Sequence, residues 1–185
     1  IRDSAFERNL SKRGGGLYID TPHAVDVRRS AIAFNRAGRR GGGLDLTVTG
    51  VPAVLENVTV SGNFVYGEQV TDGGGGIALT GPARIALSTI ASNLAYTLQR
   101  NPDVAAGLQF DSSYGVLFLN GTLLWGNATL DGNLDLGRAG AGGIDAYYNL
   151  IGTTTPDAIN GAEQGSLFAI DPLLGPLADN GGPTQ

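Results

Sequence analysis

The chain has 185 residues, enough for one domain with a real core, and its 30 glycines follow no three-residue period, which excludes collagen. It has no cysteine, so disulfide frameworks, thiolate zinc sites and thiol nucleophiles are excluded. The net charge of −5 is divided unevenly. Residues 1–40 carry nine basic side chains against four acids, and the remainder carries three against thirteen, so a charge gradient runs along the chain.

In chain order the sequence repeats two signals. The first is a glycine cluster followed by an aliphatic residue, at Gly14-Gly15-Gly16-Leu17, Gly41-Gly42-Gly43-Leu44 and Gly74-Gly75-Gly76-Ile77, then in weaker form at Ala106-Gly107-Leu108 and Gly142-Gly143-Ile144. The second is an apolar residue three places before an asparagine, ending at Asn9, Asn35, Asn63, Asn93 and Asn127. A period near 30 residues with short alternating stretches such as LDL, VDV and VTV is the pattern of a solenoid, whose repeats bury their apolar faces only by stacking. The reading is all-β, with about five coils of three short strands, repeats over 1–148, and an irregular segment over 149–185 that caps the same domain. Leu17, Leu44, Ile77, Leu108 and Ile144 are expected to form one aliphatic stack, and Phe6, Ile32, Val60, Ile90 and Leu124 another. Residues 94–99 read as loop.

Each recurring asparagine has a structural reason to be there. Asn tolerates left-handed backbone angles at a tight corner, and its amide can bond to turn backbone and to the asparagine of the next coil. An internal ladder of Asn9, Asn35, Asn63, Asn93 and Asn127 is therefore expected. The glycines permit close approach of stacked corners. They are not a phosphate loop, because neither Lys-Ser/Thr nor a helix follows. The distance from an asparagine to the next glycine-led aliphatic residue grows along the chain. Residues 64–76, 94–107 and 128–143 are thus insertions on one flank, the usual place for binding loops in repeat proteins.

The glycine-led and asparagine-ending repeats resemble right-handed parallel β-helices of the pectate-lyase-like superfamily. Asn149-Leu150-Ile151-Gly152 with the stretch from Asp171-Pro172-Leu173-Leu174-Gly175 to Gly181-Gly182-Pro183-Thr184-Gln185 is similar to the terminal segment of the choice-of-anchor Q family. That resemblance implies a bacterial secreted or cell-surface protein of unknown activity. The chain begins at Ile1 in mid-repeat and is expected to be part of something longer, so its N-terminal end should meet further coils or another subunit.

Candidate sites are few. Lys12-Arg13 and Arg39-Arg40 precede successive glycine clusters, which should stack four cations roughly 5 Å apart, one strand spacing. Such a feature is either a solvated basic face or a site for an anionic partner, an acidic polysaccharide or an acidic protein surface. In the third coil Thr71-Asp72-Gly73 takes that place and ends the run of cations. Nucleic acid is not expected, given the acidic remainder and the absence of a reading motif. Asp131, Asn133 and Asp135 offer oxygen ligands at alternate positions, as at the start of a calcium loop, but Gly142 stands where the closing Glu would be. Beyond that Ca²⁺ alternative no cofactor is expected.

His23 is the only histidine and follows Pro22 in a turn, which gives Ser/His/Asp chemistry little support. Tyr66, Tyr96, Tyr147, Tyr148 and Trp125 lie near the insertions, placed either to stack on sugars or to hold loops down. The leading expectation is a non-enzymatic extracellular or cell-surface scaffold with a structural, adhesive or partner-binding role. The alternatives are a polysaccharide lyase or hydrolase using Asp131, Asp135 and Arg100 or Arg138 on the insertion flank, and an accessory subunit docked through the basic N-terminal coils.

Overall fold

Bends in the left-handed backbone region fold this chain into a triangular coil. One bend falls at the glycine cluster, at Gly14, Gly41 and Gly74, with φ of 55°, 61° and 66°. Another falls at Asp3, Arg29, Asn57, Leu87, Gly121 and Tyr148, and a third immediately before each ladder asparagine, at Arg8, Phe34, Gly62, Ser92 and Gly126. The left-handed residue at this third corner is therefore the one preceding the asparagine, not the asparagine itself. The asparagine is left free to use its amide.

The computed structural model describes residues 1–69, 72–98, 104–111, 115–175 and 177–178. Among them it is an all-β parallel solenoid of about five turns, without helix. A glycine-led sheet contains Leu17–Thr21, Leu44–Val48, Ile77–Thr80, Leu108–Asp111 and Leu136–Ala139. A wide sheet holds Ala5–Glu7, then Asp26–Ala33 and Ala53–Ser61, which later coils split into pairs such as Ala83–Ala86 and Thr89–Ala91. A third sheet follows the asparagines: Leu10–Arg13, Arg36–Arg40, Phe64–Gly67, Leu94–Thr97 and Ala128–Thr129. The strand at Leu94–Thr97 replaces the expected loop. Parallel pairing in the wide sheet also continues past Asn149, through Leu150–Ile151 to Leu167–Phe168.

The core is a set of columns. Phe6, Ile32, Val60, Ile90 and Leu124 pair in register and continue to Ile151. Leu17, Leu44, Ile77 and Leu108 form the second column, but its fifth member is Leu136, not Ile144. Ile144 pairs with Leu117 in the wide sheet, so the Gly142-Gly143-Ile144 copy of the repeat signal marks a different side of the triangle. Gly42 illustrates how tightly the coils stack: a Cβ there would lie 2.2 Å from the Gly75 carbonyl oxygen.

Candidate functional site

Two polar columns run along the solenoid. In the first, the backbone N–H and the side-chain amide of Asn9 both donate to Oδ1 of Asn35 at 3.0 Å. Asn35 donates likewise to Asn63, Asn63 to Asn93, and Asn93 to Asn127. The second amide proton goes to a core-strand carbonyl, as from Asn63 to Ile32 at 2.8 Å and from Asn127 to Ile90 at 2.9 Å. The column ends on Asp135. Its Oδ1 accepts from Asn127 N and Nδ2 at 2.8 and 2.7 Å, and its Oδ2 accepts from Thr153 N at 2.8 Å. Burial raises the Asp135 pKa above the ordinary carboxylate value, and these hydrogen bonds partly oppose that rise.

Asp135 is thus buried in the ladder, while Asp131 and Asn133 are exposed on a short hairpin in which Ala128 pairs with Asn133. Arg138 donates to the carbonyls of Gly140, Asp157 and Ala158, which ties it to the C-terminal turn. His23 is exposed. Arg100 lies outside the described residues, as do Thr71 and the terminal stretch 179–185.

The second column is the basic one. Leu10 pairs with Arg36 and Ser11 with Ala37, but Arg13 pairs with Arg40, so one strand has an extra residue opposite Lys12. This irregularity re-aims the side chains that follow, as bulges do. Arg13, Arg39 and Arg40 come together around a recess of about 220 Å³ that Asp72 also lines, with Lys12 exposed beside Arg13 on the same strand.

The cations are not a bare ladder, because each guanidinium has a partner from another coil. Arg13 Nε donates to Asp45 Oδ2 at 2.6 Å, and this bond is the main cause holding the Arg13 pKa above its ordinary value. The Arg13 guanidinium also lies 4.7 Å from the Tyr18 ring centroid. Arg39 Nε lies 3.6 Å from Asp72 Oδ1. Arg40 donates to Thr80 Oγ1 at 3.2 Å and lies 3.7 Å from Asp111 Oδ2.

The carboxylates beneath are closed to solvent, with side-chain exposures of 0% for Asp45 and 1% for Asp72. Asp72 Oδ2 accepts from the backbone N–H of Glu68 and Gln69 at 3.0 and 2.9 Å. Asp45 Oδ1 and Asp72 Oδ1 are buried without a hydrogen-bond partner. Buried acids therefore hold guanidiniums at the rim of the recess, and Asp72 Oδ1 faces Arg39 without accepting a hydrogen bond. Sequence reasoning found the four cations and missed their counter-ions, although Asp45 directly follows the Gly41–Leu44 signal at the same corner.

A larger groove, of about 720 Å³, lies between the wide sheet and the tail, lined by residues such as Phe34, Thr59, Ala91 and Leu174. Among the described residues its lining carries no charge, so the recess is the better candidate for specific recognition. Among the described residues no three His, Cys, Asp or Glu side chains are grouped to hold a metal ion, and no helix is long and apolar enough to cross a membrane. Comparison with protein-family models, with curated proteins and with solved structures found no match.

Proposed function

We propose that this chain is a rigid, non-enzymatic β-solenoid scaffold, working outside the cell or at its surface, that binds an anionic partner through the recess of Arg13, Arg39 and Arg40. The observation that carries this reading is the convergence of three guanidiniums around one recess, with buried Asp45 and Asp72 behind them. Guanidiniums held in place lose less entropy when they meet a carboxylate or sulfate. The favoured partner is an acidic polysaccharide. The extracellular setting rests on the likeness of the C-terminal motif to the choice-of-anchor Q family.

Acids and bases also converge in polysaccharide-cleaving sites, so the recess gives the enzyme alternative its one specific support. Against it, Asp45 and Asp72 are sealed from solvent and face guanidiniums, which suits them to hold arginines and not to exchange protons with a substrate. The test is titration of dextran sulfate and polygalacturonate into the protein, with neutral dextran as control. Binding that weakens with salt, and falls at least tenfold in a folded Arg39→Ala/Arg40→Ala variant, is the expected result. Equal binding of neutral dextran, or no effect of the double variant, would overturn it. Release of unsaturated or reducing ends from polygalacturonate would establish the enzyme instead.

A further inference from the structure

We infer that the last turn of the solenoid is a docking edge for a partner protein, which adds to Leu167–Phe168 an extended strand carrying both aliphatic and basic residues. This edge is separate from the arginine recess, whose lining comes from Arg13, Arg39, Arg40 and Asp72. The wide sheet ends in two short strands, Glu163–Gln164 and Leu167–Phe168, each paired on one side only among the described residues. The N–H groups of Leu167 and Ala169 donate back to the carbonyls of Asn149 and Ile151 at 2.8 and 2.9 Å. Alternation along a strand therefore turns the N–H and C=O of Phe168, which lies between them, away from the stack. On the other strand the carbonyls of Ala162 and Gln164 accept from the N–H groups of Ala146 and Tyr148. The Glu163 carbonyl is turned outward in the same way.

The edge is apolar as well as open. Phe168 pairs in register with Ile151 and so ends the core column that begins at Phe6. It is 43% exposed, whereas Ile151 beneath it is closed to solvent. Leu167 and Ile170 beside it are 53% and 50% exposed. The described part of the tail does not cover this end. It turns through the left-handed region at Ala169, and its later residues Leu174 and Leu177 line the groove with Phe34 and Thr59, on early coils. An open strand edge beside large apolar side chains is a template for one more strand.

Charge decides what that strand carries. From Ala139 onward the sequence has no Lys, Arg or His, but it has the acids Asp145, Asp157, Glu163, Asp171 and Asp179. Two of these flank the edge, and both are exposed. Glu163 Oε1 accepts from Ser166 N at 2.9 Å, just before Leu167, and Asp171 Oδ1 accepts from Leu173 N at 2.8 Å, just beyond Ile170. Like charges on the same edge of two copies repel, so the acids disfavour edge-to-edge pairing of this end with itself. A strand with Lys or Arg beside its aliphatic residues answers both features. Its apolar side chains cover Leu167, Phe168 and Ile170, and its cations meet Glu163 and Asp171 at the rim.

The experiment titrates the full chain into labelled peptides and follows fluorescence anisotropy. The probes are a short capped peptide alternating lysine and valine, its counterpart with glutamate for lysine, and the lysine peptide with its backbone amides N-methylated. The lysine peptide should bind and the glutamate peptide should not. N-methylation should weaken binding about tenfold, because the backbone hydrogen bonds are lost while the charges stay. A Glu163→Gln/Asp171→Asn variant keeps an acceptor for Ser166 and Leu173 but loses both charges. It should weaken the lysine peptide about threefold and flatten its salt dependence. Hydrogen exchange of the Phe168 amide should slow when the lysine peptide is bound. Failure of the lysine peptide to bind would overturn the inference. So would equal binding of the N-methylated peptide, or unchanged exchange at Phe168, since the acids would then attract cations without adding a strand. Sedimentation of the chain alone tests the other occupant: self-association that slows exchange at Phe168 without peptide would give the edge to a second copy.

Discussion

The asparagine column and the arginine recess are built by the same stacking of coils, yet they treat buried polar atoms in opposite ways. Each asparagine from Asn35 to Asn127 donates both amide protons and accepts two hydrogen bonds on Oδ1. At the recess, Asp45 and Asp72 each keep a buried oxygen that accepts no hydrogen bond, the Asp72 oxygen lying 3.6 Å from Arg39 Nε. A fully satisfied network rigidifies a fold, whereas a partly satisfied one costs stability and persists where something else uses it. The first column thus holds the corners together, and the second is the one where binding is proposed.

Breaking the satisfied column should have the largest effect. Asn63→Ala strands the two Asn35 donors below and the Ile32 carbonyl, all of them buried, while Asn93 Oδ1 above loses one donor and keeps the backbone N–H at position 63. At about 1–3 kcal/mol for each buried group left unpaired, with some relaxation, the loss should be on the order of 4 kcal/mol. Urea denaturation measures it. A loss below about 1 kcal/mol would mean that the column is not what holds this corner.

The same kind of cut in the recess should cost far less. Asp45→Asn removes a buried charge that is only half satisfied. The Arg13 it leaves behind is 37% exposed and still stands over Tyr18. Desolvation of the acid offsets most of what the pair contributes, so stability should change by no more than about 1 kcal/mol. Salt-dependent anion binding should weaken at the same time, because Arg13 is no longer held in place. A destabilisation as large as that of Asn63→Ala would erase the distinction between the columns.

How much of this was readable in advance follows from how local each signal is. The corner asparagines and the Phe6 to Leu124 stack are carried by residues a few positions apart, and the structure aligns that stack in register. Ile144 misled because two glycines before an aliphatic residue look alike on any side of the triangle. Leu136, the true fifth member, has no glycine run before it. Leu94–Thr97 is only four residues long, below the length at which alternation can be told from chance. The counter-ions of the arginines lie 32 residues away for Asp45 and further for Asp111, in chain positions that only stacking joins. Thr71-Asp72-Gly73 read as the place where the cations stop, although Asp72 stands there as the partner of Arg39.

The smallest effect should come at the point where the asparagine column ends on a charge. Asp135 keeps the column's pattern by accepting from Asn127, but its carboxylate is desolvated, and its pKa is raised above 3.8 in the folded chain. Between 3.8 and that raised value the folded state holds more protons than the unfolded one, so stability falls as pH rises. The contribution is fully present below 3.8 and is lost as pH climbs through the folded pKa. Asp3 and Asp26 act in the other direction, because hydrogen bonds from Arg29 and Arg28 lower their pKa values, and their contribution is lost as pH falls. The whole-protein pH profile therefore mixes both signs, and the difference between the wild type and Asp135→Asn isolates one of them. Measured by urea midpoints from pH 3 to pH 7, the stability of the wild type relative to the variant should be level below 3.8, decline above it, and level off again. A difference that stays constant, or that rises with pH, would mean that Asp135 ends the column as an exposed acid would, and that the column's last member is not governed by burial.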